Sequence, residues 1–359
     1  MKQINKKLHH LVSRGEIPGY QYLVLYDGDV IHCSWGGYRD LEKKLPVNRD
    51  TVFMANSSSK TFTALAALQL AEKEKLDLDA DVREYVDHIY PVDRKITCRQ
   101  LITHTAGIKN PLPRNWHHRL EECHHFDREK FERRVLNENK KLAWEPGQKY
   151  LYTNPGYLLL GKIVEAVSGL SFYDYTERHI FRPLKAKKDQ IGFRIKSTKN
   201  LAHGYQLKFS YYTTMLYLLQ HGWMFKSRAR TGKWITYRHI EHNSPSYGGL
   251  YSNVIGMSLF LKDMLAEDPV LLDKSTRRQM FVPQTTSRGE IVPSTAGWDH
   301  RQLGGVKYIT RPGGGPGFHS NIRVYPQKKL ATALFVNKTN IHAKLINQFT
   351  DQIDRDFVI

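Results

Sequence analysis

The pattern that most limits the fold lies at the two ends of the chain. Near the amino terminus, "YQYLVLYDGDVIHCSWGGY" (20–38) reads as two strands joined at Asp27-Gly28, a dipeptide suited to the positive φ angles of a two-residue hairpin turn. Near the carboxyl terminus, "GFHSNIRVYPQKKLATALFVN" (317–337) alternates and then runs apolar, like a second strand pair turning at Tyr325-Pro326. An amphipathic segment precedes the first pair, and "IHAKLINQFTDQI" (341–353) follows the second with the spacing of a closing helix. From about residue 80 to 240 helical periodicity dominates, broken by loops such as "NPLPRNW" and "WEPGQKY". Strands at both ends with helices between predict an α/β (α+β) chain. Its antiparallel sheet is built from both termini and flanked by helices, and an all-helical domain is inserted. The expected division is 1–78 with 241–359 for the α/β sandwich and 79–240 for the mostly helical domain.

Between the first hairpin and the helical region stands "ANSSSKTFTALAALQLAEKEKLDL" (55–78), three serines and a lysine ahead of an apolar helix. A serine there is ordinarily an N-cap, and that reading is expected of at least one of the three. It leaves Lys60 unexplained, because a cation in the first turn faces the positive end of the helix dipole. On a helix Ser57 and Lys60 are i and i+3 neighbours, so hydroxyl and amine lie side by side. Burial beside other cations lowers a lysine pKa and makes a neutral amine available to take the serine's proton.

Three further stretches follow in order. "ITCRQLITHTAGI" (96–108) enters the helical region. "EPGQKYLYTNPGYLLLGKIVEAVSG" (145–169) puts Tyr152 and Asn154 two residues apart on a turn before an apolar helix face, where a phenol and an amide can reach one point in a cleft. By itself Y-x-N also fits a turn with a buried tyrosine. "YITRPGGGPGFHSN" (308–321) ends a strand in glycines, which permit close backbone approach to a ligand.

Taken together, "SSSK", "ITCRQLITHTAGI", "YTNPGYLLLGKIVE", "GGLYSN" and "GGGPGF" resemble the serine β-lactamase-like hydrolases: class C β-lactamases, penicillin-binding DD-peptidases and esterases of the same fold. The resemblance runs from about Ile17 to Asn337 and implies an active site in the cleft between the two domains. It makes Ser57 the nucleophile, Lys60 its hydrogen-bonded partner and Tyr152 the general base and then general acid. Asn154 would orient the acyl side chain, and the N–H groups of Ser57 and Gly314 would form the oxyanion hole, a device whose loss typically costs ~10² to 10³ in turnover. Ser57 would be acylated and then released by water or another acceptor, with no metal or organic cofactor.

One motif departs from the family. Where Lys or His, a small residue and Gly are usual, this chain has Arg311-Pro312-Gly313. Arginine fixes a positive charge that can lower the Tyr152 pKa and receive a substrate carboxylate, or it pairs with an acid and points away. Proline removes a hydroxyl and an N–H. Ester or peptide-like acyl substrates are therefore expected over efficient β-lactam turnover.

The formal charge of +19 is unusual, and no acid lies between Asp189 and Glu241, where nine Lys and Arg fall. Within that tract, roughly 190–240, aromatics interleave with cations in "FSYYTTMLYLLQHGWMFKSRARTGKW", as in an element that contacts an anionic surface, or as in a core helix followed by a solvated basic loop. No specific nucleic-acid motif is present. "WHHRLEECHHFD" (116–127) offers His117, His118, Cys123, His124 and His125, read as a solvated helix surface in preference to a metal site. His104 is expected to support a loop. Cys33, Cys98 and Cys123 are scattered, and with no apolar run behind the basic start and no membrane-spanning stretch a cytoplasmic location is expected. Two functions follow: a serine hydrolase acting on a small or peptide-like acyl substrate, or a catalytically silent scaffold binding an anionic membrane or polymer. Oligomeric state is not legible.

Overall fold

The computed structural model describes residues 2–86, 93–112, 116–194, 197–219 and 221–359. Pro113, Arg114 and Asn115 of one loop and Lys196 of the basic tract lie outside them.

Asp27 and Gly28 take φ of 47° and 84°, and the hairpin they close joins the carboxyl-terminal pair in one sheet. Its spatial order is Asp299–Leu303, Val306–Gly315, Phe318–Tyr325, Leu330–Val336, Gly19–Tyr26, Asp29–Asp40 and Leu45–Pro46, antiparallel throughout. The two ends of the chain meet at the centre, where Tyr20 pairs with Val336 and Tyr26 with Leu330. Alternation along Gly19–Tyr26 then assigns the faces. Tyr20, Tyr22 and Val24 pack with Ile4 and Leu8 of helix Lys2–Ser13 and Ile353 and Val358 of helix Ala343–Val358. Leu23 and Leu25 point into the larger core, with Phe260 and Leu261 of helix Val254–Leu265. The closing helix is also held by charge. Arg323, fully buried, lies 2.8 Å from Asp351 and 3.2 Å from Asp354, whose carboxylate accepts from the hydroxyls of Tyr22, Tyr325 and Thr332.

The serine helix, Ser59–Glu72, is buried from Ser59 to Leu70, which explains a composition apolar all round where an amphipathic stripe is usual. Helices Asn154–Ser168 and Pro245–Gly248 pack against it. The Phe62 ring lies 4.5 Å from that of Phe260.

Two stretches depart from the sequence reading. Residues 190 to 240 are not helix plus basic loop. Tyr205–Leu207, Trp234–Tyr237 and Phe225–Thr231 form a three-stranded antiparallel sheet that carries helix Tyr211–Leu218, so the inserted part is mixed, not all-helical. "WITY" is a β-branched and aromatic run after a left-handed Gly232, a hairpin signal that the neighbouring helical pattern obscures. His117–Arg119 is likewise a strand, paired with Ile240–His242, followed by a 3₁₀ turn at Leu120–Glu122. A partner more than a hundred residues away leaves no local periodicity to read. Among the described residues no helix is long and apolar enough to cross a membrane, and the three cysteines are free.

Candidate active site

The serines before the helix do not cap it. Ser58 stands at the N-cap without a side-chain cap bond; its hydroxyl donates to the Arg311 carbonyl at 2.9 Å and meets Ser320 Oγ at 2.9 Å. Ser59 donates to Asn56 O and accepts from the Leu250 amide. The N-cap expectation fails because these hydroxyls tie the serine turn to the sheet and to the strand Leu250–Ser252. Ser57, half-buried, is left facing a cavity of about 500 Å³.

Two groups converge on Ser57 Oγ: the Tyr152 hydroxyl at 2.7 Å and Lys60 Nζ at 3.2 Å. Lys60 is fully buried and also donates to Asn154 Oδ1 at 2.7 Å and to the Tyr247 carbonyl at 2.6 Å. Burial and the nearby Arg311 charge hold its pKa well below that of a free lysine, with Asp299 opposing weakly. Burial pushes the Tyr152 phenol up to about 12, and Arg311 and the Ser57 bond offset only part of that rise.

Local structure explains each placement. Asn154 opens its helix, with Pro155 in the first turn and Thr153 as N-cap accepting from the Gly156 amide. His104, left-handed at φ 59° and buried, accepts the Thr153 amide on Nδ1, takes the Leu151 amide on its carbonyl and lays its ring 4.6 Å from that of Tyr152. It braces the Tyr152 turn, the loop-supporting role its motif implies. Asn56 precedes the serine at φ 48°; its amide donates to Phe318 O, and its Oδ1 lies 3.0 Å from His242 Nε2.

The glycine strand reaches the same place. A Cβ on Gly313 would lie 2.0 Å from the Ala55 carbonyl, so only glycine lets Val306–Gly315 lie against the residues that carry the serine. Gly314 lines the cleft beside Ser57. Pro312 is tolerated because the neighbouring strand's last rung pairs Asp299 with Thr310, leaving Pro312 with a partner on one side, as at an edge. Arg311 is buried and lines the cleft, and it does pair with an acid. Nε donates to the Gly297 carbonyl at 2.8 Å, Nη1 lies 3.4 Å from Asp299, and Nη2 has no hydrogen-bond partner among the described residues.

Ser57, Tyr152, Asn154, Arg311 and Gly314 thus line one cleft, with Lys60 buried beside Ser57 and Gly313 buried against Ala55. The sequence reading did not find Tyr247, which acts through its main chain, or Asp299. Asp299 had a signal: it is the one acidic residue between Glu290 and Asp351. The histidine segment also differs from expectation. His117 lines the cleft and packs against His242 at 4.4 Å; His118 bonds Asn243 at 2.8 Å and stacks on Phe126; only His124 and His125 are exposed. Among the described residues no cluster of His, Cys, Asp or Glu is arranged to hold a metal.

A sheet from both termini, a buried lysine beside a serine and a tyrosine turn facing them define the class of β-lactamases and penicillin-binding proteins. The Beta-lactamase family profile matches residues 4–352, and the chain belongs to that family, one of serine hydrolases. It is 29% identical over 216 residues to protein Flp of Staphylococcus aureus (strain N315), a match covering 58% of this chain and 41% of that protein; the chain spans less than half of that relative's length. Penicillin-binding protein 4* of Bacillus subtilis (strain 168) is 24% identical over 352 residues, 94% of this chain and 73% of that one. The structure of an octameric penicillin-binding protein homologue from Pyrococcus abyssi shares the fold, with a TM-score of 0.77, 24% identity, and coverage of 97% of this chain and 76% of that one.

Proposed function

We propose that this chain is a serine hydrolase that cleaves an ester, or an amide of similar shape, through an acyl-enzyme on Ser57. The observation that carries the reading is the convergence of Tyr152 and Lys60 on a half-buried Ser57 hydroxyl that opens on the cleft. A neutral amine has two hydrogens and one lone pair. With the hydrogens given to Asn154 Oδ1 and the Tyr247 carbonyl, the lone pair is left for Ser57 O–H. The lowered pKa of Lys60 makes that neutral state accessible, whereas Tyr152 stays a phenol at neutral pH. Lys60 is therefore the base for attack, a role the family resemblance gives to Tyr152, and Tyr152 is the donor to the leaving group.

Ser57 Oγ bonds to the acyl carbon as its proton moves to Lys60. The oxyanion is held by the N–H groups of Ser57 and Gly314. On collapse the bond to the leaving atom breaks, Tyr152 protonates that atom, and the Lys60 proton restores the phenol. Water then repeats the sequence and releases the acid.

The cleft favours an apolar acyl or alcohol portion. Its walls include Leu112, Trp116, Tyr212, Met215, Leu216 and Trp223, while the Arg311 charge is partly answered by Asp299. Pro312 offers neither the hydroxyl nor the N–H that the family's small polar residue supplies, which weighs against dedicated β-lactam hydrolysis. The test is turnover of aryl esters of increasing acyl length beside nitrocefin. Ester hydrolysis that rises with chain length and is lost in Ser57→Ala supports the reading. Nitrocefin turnover well above about 10² s⁻¹, with no ester turnover, overturns it.

A further inference from the structure

Helix Tyr211–Leu218 has three faces. Thr213 and Leu216 are buried beneath it, and Tyr212, Met215 and Leu216, with Leu219 just beyond, line the cleft. The third face is apolar and open: Tyr211 is 86% exposed, Tyr217 51% and Leu218 79%, and Phe209 just ahead is 89% exposed. Exposed apolar groups continue around the cleft, where Leu112 and Ile341 line its wall and are 64% and 43% exposed. Large apolar groups gathered on one surface mark an interaction site.

Charge around this face selects the occupant. Lys208, half-buried, and Lys233, exposed, lie just beyond the paired strands Tyr205–Leu207 and Trp234–Tyr237, where the Lys208 amide donates to the Lys233 carbonyl at 2.9 Å. The Lys208 ammonium lies 5.3 Å from the Phe209 ring. The whole tract from 190 to 240 contains no acid, on a chain of net charge +19. Aromatic and aliphatic tips framed by cations, with no acid in the tract, match the chemistry of an anionic lipid headgroup layer above acyl chains.

We propose that the Phe209–Leu218 segment docks this protein on an anionic phospholipid surface. Phe209, Tyr211 and Leu218 enter the headgroup boundary, and Lys208 and Lys233 meet the phosphates. Because the same helix lines the cleft, docking brings the mouth of the cleft to the lipid, so an apolar substrate passes into it without crossing water. The docking does not depend on catalysis, and it is measured with inactive Ser57→Ala protein so that failure of one reading is separable from failure of the other.

The experiment is flotation of Ser57→Ala protein with vesicles of phosphatidylglycerol and phosphatidylcholine, or of phosphatidylcholine alone. The same protein is compared carrying Phe209→Ser, Tyr211→Ser and Leu218→Ser together, or Lys208→Gln and Lys233→Gln together. Expected is binding to the anionic vesicles alone, weakened by salt, reduced roughly ten-fold or more by the triple change and several-fold by the charge change. If the triple variant melts early, Phe209→Ser alone carries the test with an expected drop of a few-fold. The proposal is overturned if no vesicles are bound, or if the triple variant binds as well as its parent, which would leave only diffuse charge. It is also overturned if the parent self-associates without lipid and the triple change abolishes that, which would make a second copy the occupant.

Discussion

Lys60 Nζ stands 3.2 Å from Ser57 Oγ while two carbonyl oxygens, of Asn154 and Tyr247, hold it at 2.7 and 2.6 Å. The lysine is fixed by these neighbours, and in the neutral state of the proposed mechanism, with its two hydrogens given to them, its lone pair would be directed at the serine. Replacing it with arginine, which keeps the charge but cannot give up a proton, is expected to lower kcat by at least about 10²-fold while the family fold is retained by circular dichroism. A Lys60→Arg enzyme within a few-fold of the parent would remove proton transfer from the role of Lys60.

The pH profile follows from the same two groups. The proposed mechanism requires neutral Lys60, whose pKa lies well below the ordinary lysine value, so kcat/KM is expected to fall as pH drops through that lowered pKa. Tyr152, at about 12, keeps its proton across the accessible range, so no alkaline decline is expected below about pH 10. A rate that instead keeps climbing toward pH 12 would point to the phenolate as base.

Asp299 tempers Arg311 at the cleft wall. Removing its charge in Asp299→Asn is expected to lower KM roughly ten-fold for esters that carry a carboxylate, relative to neutral esters of the same length. Equal KM changes for both would show that the Arg311 charge is not sensed by substrate.

Gly313 tests the seating of the serine. In Gly313→Ala the new methyl must displace the Ala55 carbonyl, which it would otherwise meet at 2.0 Å. A loss of ~2 kcal/mol or more of stability is expected, together with loss of acylation, because the displaced strand carries Ser57. Unchanged melting and acylation would contradict the contact.

Acid stability has a separate source. His319 is buried, bonded to the Lys338 carbonyl, and its pKa is lowered to about 4 by burial. The unfolded chain takes up this proton near pH 6.5 and the native state only near 4. Stability is therefore full above 6.5 and is lost as pH falls through that window, by up to roughly 3 kcal/mol. The melting temperature of His319→Gln should vary less between pH 6.5 and 4 than that of the parent.

How much of this was legible depends on whether the determinant was local. Asp27-Gly28 turns a hairpin by its own φ preferences, and Ser57 with Lys60 form one helical turn, so both could be read from adjacent letters. Tyr152 and Asn154 stood out only in the order of the other motifs. The His117–Arg119 strand could not be read, because its partner lies at Ile240–His242, nor could the Tyr247 carbonyl, which carries no side-chain signature. That the serines would not cap the helix through their side chains could not be read either, because the partners of Ser58 at the N-cap position, Arg311 and Ser320, come from the far end of the chain.

The most direct test is the mass of the intact protein after exposure to a fluorophosphonate and, separately, to a penicillin, with Ser57→Ala alongside. A single adduct with the fluorophosphonate, absent in Ser57→Ala, is the expected result, and a penicillin adduct would add lactam recognition to the same serine. No adduct with either reagent, or labelling that survives in Ser57→Ala, would contradict an acyl-enzyme on Ser57.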